Sequence, residues 1–172
     1  MGKGEAVTKT LVSRKRIRTF LSDSPAATLR LAEGLARKLK AGAVLALTGE
    51  IGSGKTVFIK GLSRGLGVKD SSKVKSPTFV LFHLYEGKIT IYHFDLYRLE
   101  KQKELEAIGF EEFLSDRTAV SLIEWADRAG SRIPKNAVWV EIKITGPTTR
   151  KIILKRPPSS FVLSPQRGER GG

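Results

Sequence analysis

The 172-residue sequence contains no cysteine and two histidines, His83 and His93. Without cysteine the chain can form neither disulfide bonds nor thiolate-bound zinc sites, and two histidines disfavour a multi-histidine metal site. No apolar run approaches the roughly 18 residues needed to cross a bilayer, and no apolar stretch follows the first five residues as in a secretory signal. We therefore expect a soluble, cytoplasmic protein without a membrane partner.

Acidic residues are few, because 17 Asp and Glu stand against 31 Lys and Arg, which gives a formal net charge of +14. Much of the excess lies at the ends: residues 1–20 and residues 150–172 each contain six Lys or Arg and one acid. Basic ends fit contact with nucleic acid. They are equally typical of a solvated tail that aids solubility, so charge alone leaves both interpretations open.

Hydrophobic patterns predict one domain of alternating strands and helices over residues 14–156. A basic arm, residues 1–13, precedes it, and the Pro-, Ser-, Arg- and Gly-rich residues 157–172 are expected to form a disordered basic tail. The composition, 40% hydrophobic and 28% charged, is sufficient for one core. Strands are predicted at 14–20, 43–48, 78–85, 88–94, 118–123, 137–144 and 150–155, and helices at 25–40, 55–66 and 102–114, the last with Gly109 as a candidate interruption.

The segment Gly49-Glu-Ile-Gly-Ser-Gly-Lys-Thr56 matches the phosphate-binding pattern G-x-x-x-x-G-K-[ST]. Its glycines permit backbone angles that direct N–H groups at phosphate oxygens, and the following helix adds its positive N-terminal end. Lys55 would neutralise the β- and γ-phosphates, and the Thr56 hydroxyl would ligate Mg²⁺. A chance match occurs on the order of once in a hundred such chains, but this one lies between an apolar strand and a helix. We predict nucleotide contacts from Gly49, Ile51, Gly52, Ser53, Gly54, Lys55 and Thr56.

Two acids, Asp95 and Glu124, directly follow apolar strands. A phosphate-loop site needs a carboxylate opposite the threonine to hold or order the Mg²⁺ shell. Acids at strand ends are often simple turn residues, so the sequence alone does not assign either one, but beside a phosphate loop we expect at least one to be functional. The chain lacks an N-K-x-D segment, by which guanine-specific proteins of this kind usually recognise their base, and this favours ATP over GTP.

Five segments occur in a characteristic order: Gly49 to Thr56, Lys75-Ser-Pro-Thr-Phe79, His93-Phe-Asp-Leu-Tyr-Arg98, Glu104-Leu-Glu with Gly109, and Leu122-Ile-Glu-Trp125. Over about residues 20–145 the chain resembles the TsaE (YjeE) family, the ATPases of bacterial threonylcarbamoyl-adenosine tRNA modification. The resemblance implies an α/β, P-loop NTPase-like three-layer fold with a mixed sheet that includes antiparallel strands. It also implies Mg²⁺-dependent ATP hydrolysis in support of a TsaB–TsaD complex, which modifies adenosine next to the tRNA anticodon.

The resemblance also implies residue roles. Thr56 and Glu124 match magnesium-site residues, Asp95 matches an acid important for hydrolysis, and Trp125 matches a tryptophan near the nucleotide. With Lys55, the two acids are the implied catalytic residues. The loop of residues 76–79 matches a segment that moves like a nucleotide switch, and residues 23–28 match the side of the site nearest the base.

Simpler interpretations stay open for several of these residues. Trp125 could serve packing alone, His93 is more typical of a structural histidine than of a proton carrier, and Arg98 is either an internal arginine finger or an ordinary surface residue. Val57 stands where many relatives have a second threonine, which puts any role of that hydroxyl in doubt.

Two other classes of protein share some of these features. A small-molecule or nucleoside kinase would have the same loop, but no arginine-rich lid helix is recognisable in residues 126–172. A non-catalytic RNA-binding module would explain the basic ends, but no aromatic RNA-binding platform is evident.

Overall fold

A computed structural model describes residues 17–156, so the predicted basic arm and basic tail lie outside the described residues. None of the helices in this range is long and apolar enough to span a membrane. The elements are β1 Ile17–Ser22, α1 Pro25–Ala36, β2 Val44–Thr48, α2 Lys55–Gly65, β3 Phe82–Tyr85, β4 Thr90–Asp95, α3 Lys103–Ala107, α4 Phe110–Ser115, β5 Ala119–Glu124, β6 Val138–Ile144 and β7 Arg150–Lys155, with short 3₁₀ segments at Ser71–Lys73 and Ala126–Arg132.

The seven strands of this range form one mixed sheet in the order β1-β7-β6-β2-β5-β4-β3. The central strands β6, β2, β5 and β4 run parallel, while β3 and β7 pair antiparallel with their neighbours. The carboxyl ends of parallel strands meet at one edge of a sheet, where ligands of open α/β sheets bind. Asp95 and Glu124 are direct partners in the register of β4 and β5 at that edge.

Helices cover both faces of the sheet, and the sheet separates two hydrophobic clusters. Leu45 and Leu47 of β2 join the cluster beneath α1 and α2, whereas Val44 and Ala46 join the cluster formed with α3, α4 and the Ala126–Arg132 segment. Burial on both faces explains why β2 is apolar at nearly every position. The predicted α/β three-layer fold and its mixed sheet are thus confirmed.

Two glycines of α2 allow it to approach α1 closely. A Cβ atom added to Gly61 would lie 2.4 Å from the Leu29 carbonyl oxygen, and one added to Gly65 would lie 2.5 Å from that of Glu33. Helix α1 also has a small side chain at this contact, that of Ala32, which is fully buried. This contact fixes α2, whose first turn closes the phosphate loop.

Two element boundaries differ by four residues from the sequence-based predictions. Helix α1 ends at Ala36 instead of continuing to residue 40, because residues 38 and 39 form tighter hydrogen bonds to carbonyls three residues back. Strand β3 begins at Phe82 instead of residue 78, since residues 78–80 form a turn that ends at Leu81 with a left-handed φ of 63°. The helical segment predicted over 102–114 is interrupted at Gly109, the candidate named from the sequence, where φ is 67° and two short helices meet.

Candidate functional site

The loop from Gly49 to Thr56 joins β2 to α2 at the carboxyl edge of the parallel strands. Gly49, Gly52 and Gly54 all have positive φ angles, and Gly54 is the N-cap residue of α2. Gly49 also passes so close to β6 that a Cβ atom there would lie 2.4 Å from the Ile142 carbonyl oxygen. The loop conformation therefore depends on glycine both for its backbone angles and for space.

Lys55 lies inside this loop with its side chain almost fully buried. Its ammonium group donates hydrogen bonds to the carbonyl oxygens of Gly49 at 2.7 Å and Glu50 at 2.9 Å, which uses two of its three N–H groups. The same nitrogen lies 3.9 Å from the centroid of the Trp125 ring. Burial lowers the pKa of Lys55, and nearby carboxylates, Glu124 foremost, partly oppose this change.

Glu124 connects the loop to the sheet through a buried hydrogen-bond chain. The Thr56 hydroxyl lies 3.2 Å from Oε1 and 3.1 Å from Oε2 of Glu124, and Nε2 of His93 lies 2.8 Å from Oε1. The carboxylate is 2% exposed and His93 is fully buried. Among the described residues Nδ1 of His93 has no hydrogen-bond partner, so the tautomer that donates from Nε2 satisfies this contact.

Asp95, the neighbour of Glu124 across the β4–β5 pair, binds a different segment. Its Oδ2 accepts hydrogen bonds from the hydroxyls of Ser76 and Thr78, the latter at 2.7 Å, and its Oδ1 accepts one from the Tyr97 N–H at 2.9 Å. The loop of residues 76–79, which is expected to move like a nucleotide switch, is therefore hydrogen-bonded to Asp95.

These groups surround one cavity of about 530 Å³, within the range of small-molecule sites. Six of the eight residues predicted to contact the nucleotide line it, whereas Gly49 and Ser53 do not. The lining is completed by Val57, Ser76, Thr78, Asp95, Tyr97 and Glu124. The structure thus brings the phosphate loop, both acids and the switch-like loop around a common space.

The aromatic residues of the site have mixed roles. Trp125 is half-buried: it packs against the core on the α3/α4 side and also lines the cavity, so the packing and site interpretations are compatible. The ring of Tyr97 lies 5.1 Å from that of Trp125, between centroids. Arg98, by contrast, stacks at 4.3 Å over the exposed ring of Phe79 and is outside the cavity lining.

Three residues near the loop were missed or undervalued in the sequence. Arg150, the first residue of β7, donates hydrogen bonds to the Ser53 and Gly52 carbonyl oxygens at 2.9 and 3.1 Å. No local pattern marks it, because it resembles the other basic residues near the carboxyl terminus. Tyr97 was quoted within a family motif but given no role, and the buried contact of His93 with Glu124 could not be read from the sequence.

The donor set fits a magnesium–nucleotide complex. Mg²⁺ prefers oxygen ligands and is usually held by one or two carboxylates together with substrate phosphates and water. Thr56 and Glu124 supply an alcohol and a carboxylate oxygen at the mouth of the loop, as that coordination requires. The N-terminus of α2 and Lys55 add the positive potential that polyphosphate binding requires.

Comparison with known proteins assigns the chain to a family. Residues 22–152 match the model of the threonylcarbamoyl adenosine biosynthesis protein TsaE. The tRNA threonylcarbamoyladenosine biosynthesis protein TsaE of Treponema pallidum is 36% identical over 77% of this chain and 96% of its own length, and that of Bacillus subtilis is 37% identical over 75% and 79%. The crystal structure of YdiB from Bacillus subtilis superposes with a TM-score of 0.66 and 27% identity, covering 90% of both chains. The chain therefore belongs to the TsaE family and has its P-loop NTPase fold.

Proposed function

We propose that this protein binds ATP with Mg²⁺ in the cavity beside the phosphate loop and hydrolyses it in support of threonylcarbamoyl-adenosine modification of tRNA. The observation that carries the proposal is the contact of the Thr56 hydroxyl with both Glu124 oxygens. It unites the last residue of the loop motif with a strand-end acid 68 positions away, in the arrangement that a Mg²⁺ site requires.

Each side chain has a distinct task in this proposal. The loop N–H groups and Lys55 hold the phosphates, while Thr56 and Glu124 hold the metal. Mg²⁺ held there would offset the negative charge that develops as the phosphoryl group passes to water. Asp95, which holds the Ser76 and Thr78 hydroxyls, orders water or the metal shell near the phosphates, and Trp125 closes the side of the cavity above Lys55.

Lys55→Ala tests the binding part of the proposal. The substitution removes a charge-assisted contact to the phosphates, so we expect a loss of roughly 1.5–3 kcal/mol, or about ten- to a hundredfold in ATP affinity. Calorimetric titration with Mg·ATP measures it, and thermal unfolding establishes that the variant folds. Unchanged affinity in a folded Lys55→Ala protein would rule out this site.

The proposed role in tRNA modification rests on the family membership of the chain and on its positive charge. TsaE membership supports action in the cytoplasm with a TsaB–TsaD complex, and the basic ends are compatible with contact to tRNA. In this proposal the chain is the ATPase of the system, and the threonylcarbamoyl transfer belongs to its partners. An ATPase assay with and without TsaB–TsaD tests this assignment.

A further inference from the structure

Arg150 makes an unusual set of contacts, because its guanidinium group binds main-chain carbonyl oxygens from two separate segments. Nε donates to Ser53 and Nη2 to Gly52 of the phosphate loop, at 2.9 and 3.1 Å. Nη1 donates to Gly146 and Thr149 of the β6–β7 turn, at 3.1 and 2.9 Å. Within residues 17–156 no carboxylate forms an ion pair with Arg150. The full charge of this residue is therefore directed at backbone carbonyls.

These contacts fix the orientation of peptide groups in the loop. In a planar trans peptide the carbonyl oxygen and the following N–H point in opposite directions. When Arg150 holds the Ser53 carbonyl, it also sets the direction of the Gly54 N–H on the other side of that peptide. Gly52 and Gly54 line the cavity, whereas Ser53 is fully buried and neither Ser53 nor Arg150 belongs to the lining, so Arg150 acts on the loop and not on the ligand.

The loop needs such support because its glycines give it many alternative conformations. Glycine loses more conformational freedom on ordering than any other residue, and a loop already held in its bound shape binds more tightly. Lys55 holds the carbonyls of Gly49 and Glu50, in the first half of the loop. Arg150 holds those of Gly52 and Ser53, in the second half, and is itself fixed by the β6–β7 turn.

We propose that Arg150 is a positioning residue that holds the second half of the phosphate loop in the shape that binds the β-phosphate of a nucleoside di- or triphosphate. The proposal rests on the proposed function, since it concerns the same cavity. It assigns a role in nucleotide affinity to a residue of β7, 97 positions from the loop residue that it contacts.

The test compares Arg150→Gln and Arg150→Lys with the neighbouring control Lys151→Gln, in the full chain. Lys151 is exposed and lies next to Arg150 on β7, so Lys151→Gln removes the same formal charge without touching the loop. Arg150→Lys retains the charge but cannot bind four carbonyls in the same planar geometry. Calorimetric titrations with ATP, ADP and AMP give the affinities, and thermal unfolding gives the stability.

We expect both Arg150 variants to bind ATP and ADP about tenfold more weakly, because ordering the unsupported half of the loop then reduces the net binding free energy. The ATP and ADP losses should be equal, AMP binding should change less, and Lys151→Gln should behave as the unsubstituted protein. A role confined to the β6–β7 turn would lower the unfolding temperature and leave the nucleotide affinities of the folded protein unchanged, which would overturn the proposal.

The remaining outcomes also decide between hypotheses. If Arg150→Gln does not fold, Arg150→Lys carries the test, and full affinity in a folded Arg150→Lys protein would refute the carbonyl-holding geometry. A parallel titration of Lys55→Ala separates the positioning role of Arg150 from nucleotide binding in the cavity. Equal ATP affinity of Lys55→Ala and the unsubstituted protein would defeat the proposed function itself, whereas a loss in Lys55→Ala with no loss in the Arg150 variants would defeat only the positioning role.

Discussion

At the scale of single residues, the site has two carboxylates in adjacent register that differ in their surroundings. Glu124 is held by the Thr56 hydroxyl and by the buried imidazole of His93, both fixed by the sheet and by α2. Asp95 is held by Ser76 and Thr78, which belong to a loop. The carboxylate of Glu124 thus contacts regular secondary structure, whereas that of Asp95 contacts an irregular segment.

This difference predicts separable effects of two substitutions. Glu124→Ala should weaken Mg²⁺-dependent ATP binding more than binding of metal-free ATP, because it removes the proposed metal ligand. Asp95→Asn should bind Mg·ATP yet hydrolyse it slowly, since its proposed role is to order water or the metal shell. Titrations with and without Mg²⁺, together with single-turnover rates, measure both, and the reverse pattern would mean that the two roles are exchanged.

At the scale of elements, the α1–α2 contact positions the helix that begins at the phosphate loop. Gly61→Ala places a methyl group where backbone atoms of α1 already lie, so we expect a loss of about 1–3 kcal/mol in unfolding free energy, as for other overpacked sites. Gly34→Ala is the matched control, because nothing lies within 4 Å of its added Cβ atom. This control should gain about 0.5–1 kcal/mol from helix propensity. Urea unfolding distinguishes the two, and equal changes would contradict the close-contact argument.

At the scale of the whole molecule, no arginine of residues 17–156 belongs to the cavity lining. Arg98 stacks on Phe79, and Arg150 binds carbonyl oxygens of the loop. A finger arginine provided in trans contributes about 10³–10⁵ in rate in P-loop enzymes. We therefore expect slow ATP hydrolysis by the isolated chain and acceleration by TsaB–TsaD, measured as turnover with the partners at saturation. A turnover rate on the order of 10 s⁻¹ for the isolated chain, unchanged by the partners, would contradict this expectation. It would favour a kinase-like protein that holds every catalytic group itself.

The positive charge at both ends of the chain leads to a second prediction at this scale, which concerns tRNA binding. If residues 1–20 and 157–172 contact tRNA, their removal should weaken tRNA binding and flatten its salt dependence, because fewer counterions are released. Removing residues 1–20 also removes part of β1. A chain that lacks only residues 1–16 at its amino terminus is therefore the control for stability. Binding measured at several salt concentrations gives the slopes. Equal slopes for the full and trimmed chains would support a solvated fringe instead.

The sequence alone determined the phosphate loop, the apolar strand before it, the helix after it and the acids that end β4 and β5. These features are local: glycine permits particular backbone angles, and the period of apolar residues distinguishes strand from helix. The family membership, the α/β class and the mixed sheet expected from the resemblance are confirmed. The roles of the site residues and the domain boundaries outside residues 17–156 stay predictions.

Only the tertiary structure decided which distant side chains meet. The contacts of Thr56 with Glu124 and of Arg150 with Ser53 span 68 and 97 positions, so they depend on strand order and register, which no local pattern encodes. The start of β3 also depends on a tertiary contact. Asp95 holds Ser76 and Thr78, and the chain turns before Phe82. Local sequence fixes the backbone of each segment, but a hydrogen bond across the sheet forms only after all the intervening elements have packed.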